Sequence, residues 1–216
     1  MSESETVEVE PTTEEAPGDG LSEEVRHRRE AALANVRTFG DPVLKSRASE
    51  VREFGATLEH EAERMIAIMR DALGVGLAAT QLGIMHRLLV FQAGHEATPV
   101  ALVNPELEWL SDELALAEEG CLSLPRIAVD VERPLHVRVR GVDTGGDPIL
   151  IEASGLEARV LQHEVDHLDG VLILDRTVRE QRKGALRALR EGGAYVPPGD
   201  EDEDEAEPDR DESISS

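Results

Sequence analysis

The 216-residue chain predicts an α+β fold in which antiparallel β-sheets pack around a central metal-binding HExxH helix, with an outer N-terminal helix and a C-terminal helix. Three observations predict it. Short β-branched or alternating runs succeed one another between residues 87 and 151, with turn residues and no helical pattern between them, the order of antiparallel strands rather than of a doubly wound parallel sheet. Ahead of them, Leu58, Ala62, Met65, Ile66, Met69 and Leu73 recur at helical spacing. Behind them, Leu161, Val165, Leu168 and Leu172 do the same, and His163 and His167 stand beside that stripe.

Taken in order, the first element is a stretch that cannot pack. Residues 1–25 carry nine acids and no base, and residues 199–212 carry ten acids and one base, so each end contributes −9 of the −24 net charge and leaves the body at −6. Both ends are poor in apolar residues, a composition that buries too little surface to order itself. The expected organisation is a disordered acidic extension over 1–28, a catalytic domain over 29–192, and a disordered acidic tail over 193–216. Next, the amphipathic run from Leu58 to Leu73 reads as a helix ended by Gly74, and Gly76 removes a side chain where another backbone can approach. Strands are expected at 87–91, 100–103, 113–117, 127–131, 135–139 and 149–151. Asn104-Pro105, Arg133-Pro134 and the run Asp143 to Pro148 read as the turns between them. Aromatic residues number only five, so the core must rely on Leu, Val, Ile and Ala. The last helix spans 177–191, with five bases against two acids and Leu186 and Leu189 on its inner side.

The chemistry concentrates in His163-Glu164-Val165-Asp166-His167. On a helix the two imidazoles stand one turn apart on one face, close enough to chelate a single ion, and Glu164 stands beside that ion without being a ligand. Such an ion lowers the pKa of a bound water while the carboxylate takes its proton, the division of labour of a metal-dependent hydrolase. A catalytic site of this kind holds its ion with three side chains. The one cysteine, Cys121, reads either as a small buried hydrophobe or as the third ligand, since thiolate suits iron, zinc, cobalt or nickel. It lies in Glu119-Gly120-Cys121-Leu122-Ser123, where a strand runs into a turn.

Three short motifs in order, Gly74-Val75-Gly76-Leu77-Ala78-Ala79-Thr80-Gln81, Glu119-Gly120-Cys121-Leu122-Ser123 and Gln162-His163-Glu164-Val165-Asp166-His167-Leu168, resemble those of the peptide deformylases. These enzymes remove the formyl group from the N-terminal methionine of new bacterial polypeptides. The similarity extends to Phe39-Gly40-Asp41-Pro42-Val43-Leu44 and Val103-Asn104-Pro105, and so covers about residues 35–176. It implies Cys121, His163 and His167 as metal ligands and Glu164 as the general base that later protonates the leaving amine. It further implies Gln81, through its side-chain amide, and Leu122, through its backbone N–H, as donors to the formyl oxygen, and Val75, Gly76, Glu119 and Gly120 as substrate-binding positions. The metal implied is ferrous iron in the cell, with Zn2+, Ni2+ or Co2+ able to occupy the same ligands. After Pro125 the chain lacks the arginine that some members place two residues beyond Arg126, so the pocket rim differs.

Two other readings stay open. A zincin-type peptidase shares the two histidines and the glutamate but recruits a downstream third ligand; no histidine follows His167, which leaves only a glutamate such as Glu180 or Glu191. A metal-binding or ribosome-associated protein without catalysis is expected to lack the base or a donor, whereas Glu164 and Gln81 are both present. Implied partners are N-formylmethionyl nascent peptides and, through the basic helix 177–191, the ribosome. The acidic run from Asp200 to Glu205 would compete with RNA for those arginines. The overall acidity argues against DNA binding. With no basic-then-apolar leader, no apolar run of membrane length and no disulfide framework, the expected location is the cytoplasm and not a membrane.

Overall fold

A five-stranded antiparallel sheet, β1 (Gly76–Ala78), β2 (Leu88–Phe91), β3 (Val100–Leu110), β6 (His136–Val142) and β7 (Pro148–Ser154), is arranged in the spatial order β1-β2-β3-β6-β7. A second, two-stranded sheet pairs β4 (Leu114–Cys121) with β5 (Leu124–Pro134). Helices α1 (Glu23–Leu33) and α2 (Ala56–Asp71) precede the sheets; α3 (Gly155–Leu168), a short α4 (Ile173–Arg176) and α5 (Arg179–Glu191) follow. The computed structural model describes residues 20–94 and 97–198.

The larger sheet is covered on both faces, and β2 shows why its sequence is apolar throughout. Leu88 and Val90 pack with Leu58, Ala62, Met65 and Met69 of α2, whereas the alternate residues Leu89 and Phe91 pack with Ala158, Leu161, Val165 and Leu168 of α3. α3 is therefore inside the molecule: Leu161, Leu168 and His167 are each 1% exposed or less. It ends with Asp169 as the cap, followed by Gly170 at φ 74°. Of the five aromatics, Phe91 is the one in the core, which is otherwise aliphatic.

Several boundaries differ from the sequence expectation. α1 begins at Glu23, inside the stretch read as disordered to residue 28; residues 1–19 of that stretch lie outside the described residues. The acids Glu23 and Glu24 that suggested disorder occupy the first turn of a helix, where they face the positive end of its dipole, and Ser22 caps it. At the other end, residues 193–196 are tied down: Tyr195 N–H donates to Arg126 O (3.0 Å), Ala128 N–H donates to Tyr195 O (2.8 Å), and Tyr195 bridges Ile127 in parallel. The Tyr195 ring fills the space beside Gly184, where an added Cβ would sit 3.0 Å from Cδ2. Only residues 199–216 of the expected tail lie outside the described residues.

Asn104-Pro105 is not a turn but a bulge within β3. Asn104 takes φ 51°, the register against β6 shifts there, and its side chain accepts from Val51 N–H and donates to Val51 O, both at 2.9 Å. Arg133-Pro134 likewise closes β5 instead of separating strands. α2 ends in a Schellman motif, with Gly74 N–H on Met69 O and Leu73 N–H on Arg70 O. The left-handed position is Leu73, at φ 59°, and not the expected Gly74. α5 begins at Arg179; Ala185 and Ala188 are its buried residues, while Leu186 and Leu189 are half-buried against the β5 core.

Candidate active site

α3 carries His163 and His167 one turn apart, with ring centroids separated by 4.9 Å. Cys121 ends β4, immediately before the two-residue turn Leu122-Ser123 that leads into β5. The turn brings the thiol to the helix: Cys121 Sγ lies 3.2 Å from His167 Nε2, and ligand atoms of Cys121, His163 and His167 all lie within 4.8 Å of one another. A tetrahedral S/N site has ligand atoms roughly 3–4 Å apart, so this group fits one ion of the zinc or iron type. Glu180 and Glu191, the alternative third ligands, fall on α5 and outside this group.

The electrostatics suit a cation. Burial works to raise the Cys121 pKa, but the neighbouring His167 and His163 hold the thiol well below its ordinary value. Burial works to lower that of His163, and the contacts with Cys121 and Glu119 raise it well above the imidazole range. His163 Nδ1 pairs with Glu119 Oε2 at 3.0 Å, so the proton sits on that nitrogen and Nε2 is left for a ligand. His167 Nδ1 is buried and has no partner among the described residues. Glu164, 4% exposed, is pushed up by burial against the opposing pull of His163 and His167, and its Oε2 is also buried without a partner.

Beneath His163 is a buried ion network that sequence reading did not single out. Arg133 grips Glu119 with two hydrogen bonds, Nε to Oε1 at 2.6 Å and Nη2 to Oε2 at 2.9 Å, and reaches Asp166 at 2.8 Å. Arg159 joins Glu119 at 2.7 Å and also donates to Val131 O and Ala115 O, which fastens the β4–β5 hairpin to α3. Arg176 closes the far side on Asp166. Burial works against the Glu119 charge, but His163 and Arg133 hold its pKa at about 2. The signals were present in the sequence. Arg133 is in phase with the inward-facing Val129 and Val131, and Arg159 lies four residues before His163 on the same helix face.

The facing wall comes from Gly74 to Gln81. A Cβ added to Gly76 would overlap Glu164, lying 2.9 Å from both its Cγ and Cδ; the close approach at Gly76 is therefore made by the Glu164 side chain and not by the backbone that was expected there. Gly74 is crowded in the same way by Leu122, at 3.1 Å from Cδ1. Gln81 is the third residue of the 3₁₀ turn Ala79–Leu82 and is 2% exposed. Its Oε1 accepts from Ala78 N–H at 2.9 Å, which fixes the amide so that Nε2 points to Ser123 Oγ (3.3 Å) and Cys121 Sγ (3.7 Å). Ser123 is thus a further residue of the site, fully buried.

Between the walls lies a cleft of about 780 Å³ lined by Val75, Gly76, Gln81, Glu119, Gly120, Cys121, Leu122, His163 and Glu164. Of the sequence-predicted residues, only His167 is not among its lining. Glu119 reaches the cleft, yet its carboxylate is committed to Arg133, Arg159 and His163, so its main chain is what remains for a ligand.

The sequence profile of the polypeptide deformylase family matches residues 33–183. The peptide deformylase of Parafrankia sp. is 42% identical over 165 residues, which cover 74% of this chain and 87% of the relative. That of Thermotoga maritima is 48% identical over 144 residues, 67% of this chain and 87% of the relative. Among solved structures, Synechococcus elongatus peptide deformylase, crystallised with actinonin, superposes with a TM-score of 0.69 at 39% identity, covering 74% of this chain and 88% of that one. The Thermotoga maritima enzyme gives a TM-score of 0.64 at 48% identity, covering 66% and 96%.

Proposed function

The chain belongs to the peptide deformylase family, hydrolases that take the formyl group off the N-terminus of nascent polypeptides, and we propose that it does so with Glu164 as its proton-transfer group and one divalent metal ion held by Cys121, His163 and His167. The observation that carries this reading is the convergence of one thiol and two imidazoles within 4.8 Å, with Glu164 beside them over a glycine. Ferrous iron is the metal assigned in the cell; Zn2+, Ni2+ and Co2+ suit the same donors. When bound, the cation polarises the formyl oxygen and acidifies a water.

The remaining steps belong to the chain. Glu164 takes a proton from the attacking water and returns it to the amine as the C–N bond breaks, yielding formate and a free N-terminus. A carboxyl raised by burial is matched to both transfers. Gln81 Nε2 and Leu122 N–H donate to the formyl oxygen as it gains charge; the Gln81 amide is held ready by Ala78. Glu119 orients His163 through Nδ1. Strand β1 lies at the sheet edge, and its free side at Val75 and Gly76 pairs with an extended peptide, opposite the main chain of Glu119 and Gly120.

The catalytic unit in this reading spans about residues 22–196, wider than the expected 29–192 because α1 starts at Glu23 and Tyr195 is tied to β5, and works in the cytoplasm, with α5 as a docking helix for the ribosome through its five bases. No helix among the described residues is long and apolar enough to cross a membrane. Co-sedimentation with ribosomes, with and without residues 199–216, tests the docking: tighter binding without the tail supports competition by its acids, and equal binding removes that role. Metal analysis of anaerobically purified protein, paired with formate release from a formyl-methionyl peptide, tests the whole reading. One metal per chain with formate release is expected; formate release from metal-free protein would overturn it.

A further inference from the structure

Three arginines line the cleft, and two of them are committed elsewhere. Arg126 donates through Nη2 to Gly192 O at 2.6 Å, and Arg159 is bound by Glu119 and two backbone carbonyls. The third, Arg29, comes from α1, outside the segment that matches the family profile. Its Nε is buried with no hydrogen-bond partner among the described residues. Its neighbour Arg28 pairs with Asp71 at the end of α2 (3.8 Å), which seats this turn of α1 beside the loop Leu73-Gly74-Val75-Gly76. Leu33, one turn further along α1, also lines the cleft.

This places a cation along the path of the substrate. Gly76 touches Glu164, so the reacting bond lies at that end of the loop, while Leu73 and Arg29 lie toward α2 and α1. Resting on the deformylase reading above, we infer that Arg29 is a specificity-determining residue, recognising an acidic side chain in the few residues that follow the formylmethionine. A guanidinium whose Nε is buried and has no partner among the described residues gains most from a carboxylate.

The test compares formate release from formyl-Met-Ala-Ala-Ala with peptides carrying Asp or Lys at the second, third or fourth position, for the full chain and for Arg29→Gln and Arg29→Glu. The wild type is expected to favour Asp over Lys at one position by about two- to fivefold in kcat/KM, expressed in KM, the size of a partly exposed ion pair. That ratio should approach one in Arg29→Gln, invert in Arg29→Glu, and shrink as salt is raised. A wild-type ratio of one at every position, or an unchanged ratio in both variants, overturns the inference. Failure of wild type to release formate from the alanine peptide overturns the deformylase reading instead.

Discussion

The two walls of the cleft are built on opposite principles. The α3 and β4 wall presents the side chains of Cys121, His163 and Glu164, with His167 behind them, and is held from behind by the buried Glu119–Arg133–Asp166 ion pairs, to which the half-exposed Arg176 adds a further contact on Asp166. The Gly74 to Gln81 wall is built from backbone and from missing side chains: Gly76 makes room for Glu164 and Gly74 for Leu122, and the one side chain proposed to act from it, Gln81, is fixed by a backbone N–H. Charge chemistry needs donors locked in place, while an extended peptide needs an unobstructed strand edge. A glycine on one side can therefore matter as much as a base on the other.

Substitutions can break that comparison. The largest effect is expected from the side-chain wall: His167→Ala or Cys121→Ala should lose the metal and bring formate release to background, measured by metal content and turnover together. On the facing wall, Gln81→Ala should cost about 10²–10³ in kcat with metal retained, the scale of one lost oxyanion donor. Gly76→Ala should cost about 10² by displacing Glu164, again with full metal content, because small misplacements of a reacting group are that expensive. If Gly76→Ala is fully active, the facing wall is only a turn.

Part of the side-chain wall was legible because HExxH specifies chemistry by residue type, whereas Cys121 left two readings open and was implied as a ligand only by the resemblance of the three motifs. The stripe of α3 was legible as periodicity, and 87–91 was legible as a strand although not as one buried on both faces. What escaped was set by tertiary contacts. β1 is three residues long, too short for any period to show. Asn104 carries the letters of a turn but uses them to bridge Val51 across a bulge. Arg133 and Arg159 share faces with inward-pointing residues, but their partners Glu119 and Asp166 are set by the fold, and the first part of α1 was read as disordered because its acids sit at a helix start.

Smaller effects sharpen the contrast. Glu119→Gln should weaken metal affinity or turnover by about 10- to 100-fold, since it removes a carboxylate that orients His163. Glu119 is held at about 2 against its usual 4.5, so its stabilising contribution is complete above pH 4.5 and is lost as the pH falls toward 2. That contribution is roughly 3 kcal/mol, and urea titrations across this range should show a pH slope in wild type that Glu119→Gln lacks. The smallest change is Leu73→Gly, which relieves a left-handed backbone position and should raise Tm by about 2–4 °C.

The central claim is that Glu164 moves protons at a metal held by other residues. Metal content and formate release, measured on the same samples of wild type and Glu164→Gln, test it most directly. The variant should keep one metal per chain and lose about 10²–10⁴ in turnover; a variant that retains the metal and full turnover contradicts the account.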